Sequence, residues 1–130
     1  MWMEEKIFKN RLMKESLVEC TIKDLRLRTI IGFNDIETKE KQDVVVSITY
    51  KYNAREAIDA DDVRLGFNYK TLTKKIIAFV ENARFKLLEA LAQGIYDIVA
   101  ENKELKEISV KVEKPGALRF TDNVIVKISS

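Results

Sequence analysis

The chain has 130 residues, 46% of them hydrophobic and 34% charged, with 23 Lys+Arg against 21 Asp+Glu for a net charge of +2. This is the profile of one globular cytoplasmic domain that can bury its own core, and it lacks the basic excess of a nucleic-acid-binding surface. The absence of histidine removes the commonest general base, the commonest metal ligand and every Ser-His or Cys-His nucleophile, and the single cysteine, Cys20, closes no intrachain disulfide and fits a reducing compartment.

Residues 1–16 read as an N-terminal extension. Glu4 and Glu5 come early and no apolar signal core follows, so the segment is not expected to be a secretion leader. No apolar run reaches the roughly 20 residues needed to cross a bilayer, and no membrane association is expected. Residues 17–130 are expected to form a single domain.

Val18, Cys20 and Ile22 alternate with polar residues, and then Leu25, Leu27 and Ile31 carry on with shifted parity. That slip at Lys23-Asp24 predicts a bulge or bend inside one long strand. Gly32-Phe33-Asn34-Asp35 is the turn that ends it. A second strand follows through Val44, Val46, Ile48, Tyr50 and Tyr52. Residues 54–66 form a polar connection with room for a turn of helix. Leu72, Ile76, Ile77, Phe79 and Val80 then recur at helical spacing, and Leu88, Leu91, Ile95, Ile98 and Val99 predict a second helix from about Arg84 to Asn102. Two more alternating runs, Ile108 to Val112 and Val124 to Ile128, predict the last strands. The order is ββααββ, an α+β domain with helices on one face of an antiparallel sheet.

The other sheet face reads as partly apolar too, through Val45, Tyr50 or Tyr52 and the shifted half of the first strand. Long apolar edge strands invite pairing with another copy, and closing a barrel removes the edges. A ring-shaped homo-oligomer is therefore expected.

With no histidine, any chemistry falls to lysine, tyrosine and carboxylates. Lys114 ends a strand just before the only proline of the chain, which suits a proton carrier. Glu37 and Gln42 follow the first turn, Tyr69 opens the first long helix after Asn68, and Glu89 follows Leu88 on the second. Arg26 and Arg28 lie opposite Leu25 and Leu27 and are expected in solvent or facing an anion. No glycine-rich phosphate loop is present.

These residues resemble the dihydroneopterin aldolase family, and its dihydroneopterin triphosphate 2'-epimerase branch most. The similarity lies in Leu25-Arg26-Leu27-Arg28-Thr29 through Gly32 with Glu37, and in Gln42-Asp43-Val44-Val45. It continues in Asn68-Tyr69-Lys70-Thr71-Leu72-Thr73-Lys74, in Val80 to Phe85 with Leu87-Leu88-Glu89, and in Lys114-Pro115 with Ala117-Leu118-Arg119-Phe120. The resemblance implies the tunnelling fold (T-fold), in which four subunits join their sheets into a barrel and two rings stack into an octamer. It implies pterin pockets between neighbouring subunits. Glu89, with the backbone at Leu88, would grip the pterin ring; Lys114 would be the principal proton carrier; Tyr69 and Glu37 would exchange protons near the side-chain hydroxyls. Neither a cofactor nor a metal is implied. Arg119 is the first candidate for a substrate phosphate, because guanidinium matches phosphate oxygens bidentately.

The chemistry so implied uses the substrate as its own electron sink. In a 7,8-dihydropterin the C6=N5 imine adjoins C1', so removal of the 2'-hydroxyl proton breaks C1'–C2' and sends the electron pair into the ring. Release of the fragment gives the aldolase of folate biosynthesis; recapture on its other face inverts C2' and gives the epimerase. Asn68, where aldolases tend to carry aspartate, leans toward the epimerase; Lys114-Pro115-Gly116-Ala117 suits both, and Thr121 departs from the epimerase pattern. A free lysine, with a pKa of about 10.4, is a poor base near neutrality, so desolvation or a neighbouring cation is expected beside Lys114. Two other readings compete. An RNA-binding module would show exposed strand aromatics, for which Tyr50 and Tyr52 are suggestive, but also a basic excess. A ring-former without activity would not need the set Glu37, Tyr69, Glu89 and Lys114.

Overall fold

The computed structural model describes residues 16–130, and the expected extension lies, apart from Ser16, outside the described residues. Strand β1 (Leu17–Ile31) pairs antiparallel with β2 (Gln42–Asn53), which pairs with β4 (Lys106–Pro115), which pairs with β5 (Asn123–Ser129). A two-residue strand β3 (Arg84–Phe85) adds in parallel at the far edge, so the order across the sheet is β3-β1-β2-β4-β5. Helices α1 (Arg55–Ala60), α2 (Tyr69–Glu81) and α3 (Leu88–Ala100) complete the chain, with a 3₁₀ turn at Val63–Leu65.

The parity slip in the first strand is a bulge. Pairing jumps from Ile22↔Ile48 to Leu25↔Val46, and Asp24 takes φ 56° at the extra residue. Its amide donates to Ser47 Oγ at 3.0 Å, so the bulge is tied to the neighbouring strand rather than left open.

One face of the sheet is covered by helices. Val44, Val46 and Ile48 of β2 and Val110 and Val112 of β4 are fully buried there, against Ile76 and Val80 of α2 and Leu91, Ile95 and Val99 of α3. Helix α2 starts where the Asn68 side chain accepts the Thr71 amide at 3.1 Å, and its Leu72, Ile76 and Val80 fall on one stripe. The two helices approach closely because residue 94 is glycine: a Cβ there would stand 2.9 Å from Phe79 Cε2.

Two expectations need correction. Helix α3 begins at Leu88, not near Arg84, because Arg84 and Phe85 pair with Ile30 and Ile31. Thr29 Oγ1, wholly buried, donates to Ala83 O at 3.2 Å and pins the connection that leads into this strand. Tyr50 and Tyr52 sit on the helix-covered face, not the opposite one: Tyr50 is 1% exposed and its ring meets Phe67 edge-on at 5.2 Å. They share the parity of Val44, as period two requires, and the exposed aromatic platform of an RNA-binding sheet is not formed by them. Arg28 stands in solvent as expected, bonded to Lys41 O and paired with Asp43 at 3.3 Å. Among the described residues no helix is long and apolar enough to cross a membrane.

Candidate active site

The structure divides the expected site residues between the two ends of the sheet. At one end the turn after β1 folds back on itself. Gly32 adopts φ +124°, and its amide donates to Phe85 O at 3.0 Å. Asn34 Oδ1 accepts the Glu37 amide at 2.8 Å, which curls the loop so that the Glu37 carboxyl returns over Gly32. The glycine is required there. A Cβ on residue 32 would fall 2.6 Å from Glu37 Oε2 and nearer still to Cδ.

Seated in this way, Glu37 meets Lys114 from the end of β4. The Lys114 ammonium donates to Glu37 Oε2 across 77 residues of sequence, and the two side chains are only 13% and 18% exposed. Gln42, the first residue of β2, donates from Nε2 to Ile31 O at 2.7 Å and also reaches Glu37 Oε2 at 3.4 Å. The Lys114 hydrogen bond, helped by the Gln42 amide and opposed by partial burial, holds the Glu37 carboxyl below its usual range. The sequence led us to expect a cation or a dry pocket beside Lys114; the neighbour is a carboxylate. Gln42 was marked by its place after the turn, but nothing in the sequence reveals that it braces Glu37.

A cleft of about 550 Å³ opens beside this pair, lined by Asn34, Asp35, Ile36, Glu37, Glu40, Gln42, Gly116 and Ala117. Gly116, at φ +69°, turns the chain out of β4, and its amide closes the loop on Asp122 O at 3.0 Å. Arg119 lies on this loop with its guanidinium 5.1 Å from the centre of the exposed Phe120 ring.

Leu88 and Glu89 reach the same end. They follow Phe85, which is held against Ile31 and Gly32, and they form the first turn of α3. Leu88 is buried, whereas Glu89 is exposed. No side chain caps α3. Ala90 and Leu91 donate to Leu87 O, which leaves the Leu88 and Glu89 amides without an intrahelical acceptor, next to a carboxylate, at the positive end of a helix. A planar heterocycle with both donors and acceptors on one edge fits such a pair of groups.

Tyr69 is elsewhere. It opens α2 at the end of the sheet where β1 begins, and it is 56% exposed. Along β2 the two ends are marked by Gln42 and Tyr52, ten residues apart, or roughly 33 Å at the rise of a strand. Tyr69 lines a second cavity of about 780 Å³ with Val18, Tyr52, Ala57, Ile58, Phe67 and Lys70 among others. Within one protomer Tyr69 and Lys114 thus cannot touch one small molecule. Among the described residues, both outer strands, β1 beyond its two residues paired with β3 and all of β5, have backbone edges without a partner strand.

A family model described as FolB: dihydroneopterin aldolase matches residues 20–129. A dihydroneopterin triphosphate 2'-epimerase of Pseudomonas aeruginosa is 41% identical over 117 residues, which cover 90% of this chain and 95% of that relative. An enzyme of the same name from Escherichia coli is 43% identical over 108 residues, 83% of this chain and 90% of that relative. Among solved structures, an E. coli dihydroneopterin aldolase in complex with neopterin superposes with a TM-score of 0.78 at 28% identity, covering 85% of this chain and 98% of that one.

Proposed function

The chain belongs to the dihydroneopterin aldolase (FolB) family of enzymes, and from that premise we propose that it inverts C2' of 7,8-dihydroneopterin triphosphate by breaking and remaking the C1'–C2' bond. The observation that carries this reading is the Lys114–Glu37 pair, an amine and a carboxylate in sheltered hydrogen-bond contact, with Glu37 on the wall of a cleft. Such a pair can take a proton from a hydroxyl and return one to carbon or oxygen.

Glu89 and the Leu88 amide hold the edge of the pterin ring. The ring accepts the electron pair of the broken bond through its C6=N5 imine, so the protein's work is to orient it and move protons. Lys114 carries the proton, with Glu37 setting its position and Tyr69 serving the side-chain hydroxyls. Arg119 is a phosphate contact on the loop beside the cleft. Because Tyr69 and Lys114 lie at opposite ends of a protomer, one site takes Tyr69 from one copy and Lys114 from the next. Pairing of the free β1 and β5 edges into a ring, tetrameric or stacked as an octamer, supplies that juxtaposition.

The likeness to epimerases at 41–43% identity, against 28% for the aldolase structure, favours inversion over release. The aldolase outcome shares every step up to bond cleavage and differs only in whether the fragment escapes. Incubation with 7,8-dihydroneopterin triphosphate and with 7,8-dihydroneopterin, followed by chromatography, separates the two. An inverted side chain supports the proposal. A 6-hydroxymethyl product as the main product from both compounds replaces it with the aldolase, and no reaction of either removes both.

A further inference from the structure

The cavity that holds Tyr69 contains a cation that the cleavage chemistry does not use. Lys70 follows Tyr69 on α2 and lines the same cavity. The other cation there, Arg64, is committed: Nη2 and Nε clasp the Asp62 carboxylate at 2.7 and 3.1 Å. Lys70 has no carboxylate partner among the described residues, and Lys74 stands one turn further along the same face, also exposed. Helix α2 has no acid in its first turn and ends on Glu81, so its charges run against its own dipole. Two like charges at this spacing and a first-turn lysine both disfavour the helix, and neither contributes to the core.

The opposite wall of a composite site has the other sign. Asp35, Glu37 and Glu40 line the cleft at the Lys114 end, and Lys114 beside it is engaged by Glu37. A triphosphate ester carries several negative charges and is attached only a few bonds from C2', the carbon whose hydroxyl Tyr69 serves. Its phosphates must therefore lie near the Tyr69 hydroxyl, and the carboxylates of the opposite wall repel them except where Arg119, on the loop beside that cleft, meets one. The nearest uncommitted ammonium on Tyr69's side is that of Lys70.

We propose that Lys70, backed by Lys74, acts with Arg119 to select the phosphorylated substrate, receiving the part of the phosphate chain that leaves the Tyr69 cavity. The proposal rests on the reading of the reaction given above. Asp61 lines the same cavity and opposes the effect, which gives the test a second sign. It takes φ 49°, a conformation asparagine tolerates as well as aspartate.

The measured quantity is kcat/KM for 7,8-dihydroneopterin triphosphate divided by kcat/KM for 7,8-dihydroneopterin. Lys70→Ala is expected to lower that ratio about tenfold, the usual consequence of losing a charge-assisted contact. Lys70→Arg should keep most of it, and Asp61→Asn should raise it. Added salt should lower the ratio in the wild type and do so less in Lys70→Ala. A ratio unmoved by Lys70→Ala, in a protein with wild-type circular dichroism, overturns the proposal while leaving the reaction intact. Absence of turnover of either pterin by the wild type overturns the reaction and this inference with it.

Discussion

Replacing Gly32 by alanine tests the construction of the site at its base. A Cβ on residue 32 would overlap the Glu37 carboxyl, and the backbone there, at φ +124°, is one that side chains of L residues avoid. The backbone conformation alone costs a non-glycine residue about 1–3 kcal/mol. Expelling the carboxyl also breaks its charged hydrogen bond to Lys114, worth about 1.5–3 kcal/mol. Gly32→Ala should therefore lower stability by about 3–5 kcal/mol, a large share of the 5–15 kcal/mol typical of a domain, and lower kcat at least about a hundredfold through loss of the positioned proton relay. The decisive assay is a double-mutant cycle by denaturant unfolding. In a Glu37→Ala background only the backbone strain remains, so the same glycine replacement should cost about 1–3 kcal/mol, leaving a coupling of about 2 kcal/mol. If Gly32→Ala costs the same with and without the Glu37 carboxyl, the seat described here does not exist.

Lys114→Met should cut turnover about 10²- to 10⁴-fold and let the Glu37 carboxyl rise toward its ordinary value of 4.5, read by carbon-detected NMR titration. The sign for stability follows: the wild-type Glu37 carboxyl titrates below its unfolded value, so its contribution is present above about pH 4.5 and is lost as pH falls through the folded value. The stability gap between wild type and Lys114→Met should thus shrink in acid; a gap that widens there contradicts the pairing. Glu89→Ala should weaken pterin binding about 10- to 100-fold by isothermal titration, as expected for a lost charged acceptor, and an unchanged affinity would remove Glu89 from the ring contact. Mixing Tyr69→Phe protomers with Lys114→Met protomers, each of low activity, should regenerate roughly a quarter of the sites by random assortment. No recovery after confirmed subunit exchange would mean that Tyr69 and Lys114 do not serve one shared site.

The sequence carried the parts of the fold that have a period. Alternation in residues 18–31 marked both β1 and its bulge, because the extra residue at Asp24 shifts the parity by one and so keeps Leu25, Leu27 and Ile31 on the core face with Cys20 and Ile22. Leu72, Ile76 and Val80 announced α2 for the corresponding reason at the helical period. Strand β3 could not be announced, since two residues cannot alternate; it is defined only by its partner strand, more than fifty residues earlier in the chain. Its presence moves the start of α3 from Arg84 to Leu88, and with it the first turn on which Glu89 stands. The site was legible as residue types and not as contacts. Gly32 reads as a turn glycine, although its demand comes from the Glu37 carboxyl folded over it; the Lys114–Glu37 bond spans 77 residues and leaves no trace in local pattern. Tyr69 shows the converse. Its position at the start of a helix was correct, yet its distance from Lys114 within the protomer means that no intrachain pattern could express the relation between them. On the reading proposed above, a site divided between copies depends on the edges of β1 and β5 that are unpaired among the described residues, and the sequence shows only that these strands are long and partly apolar.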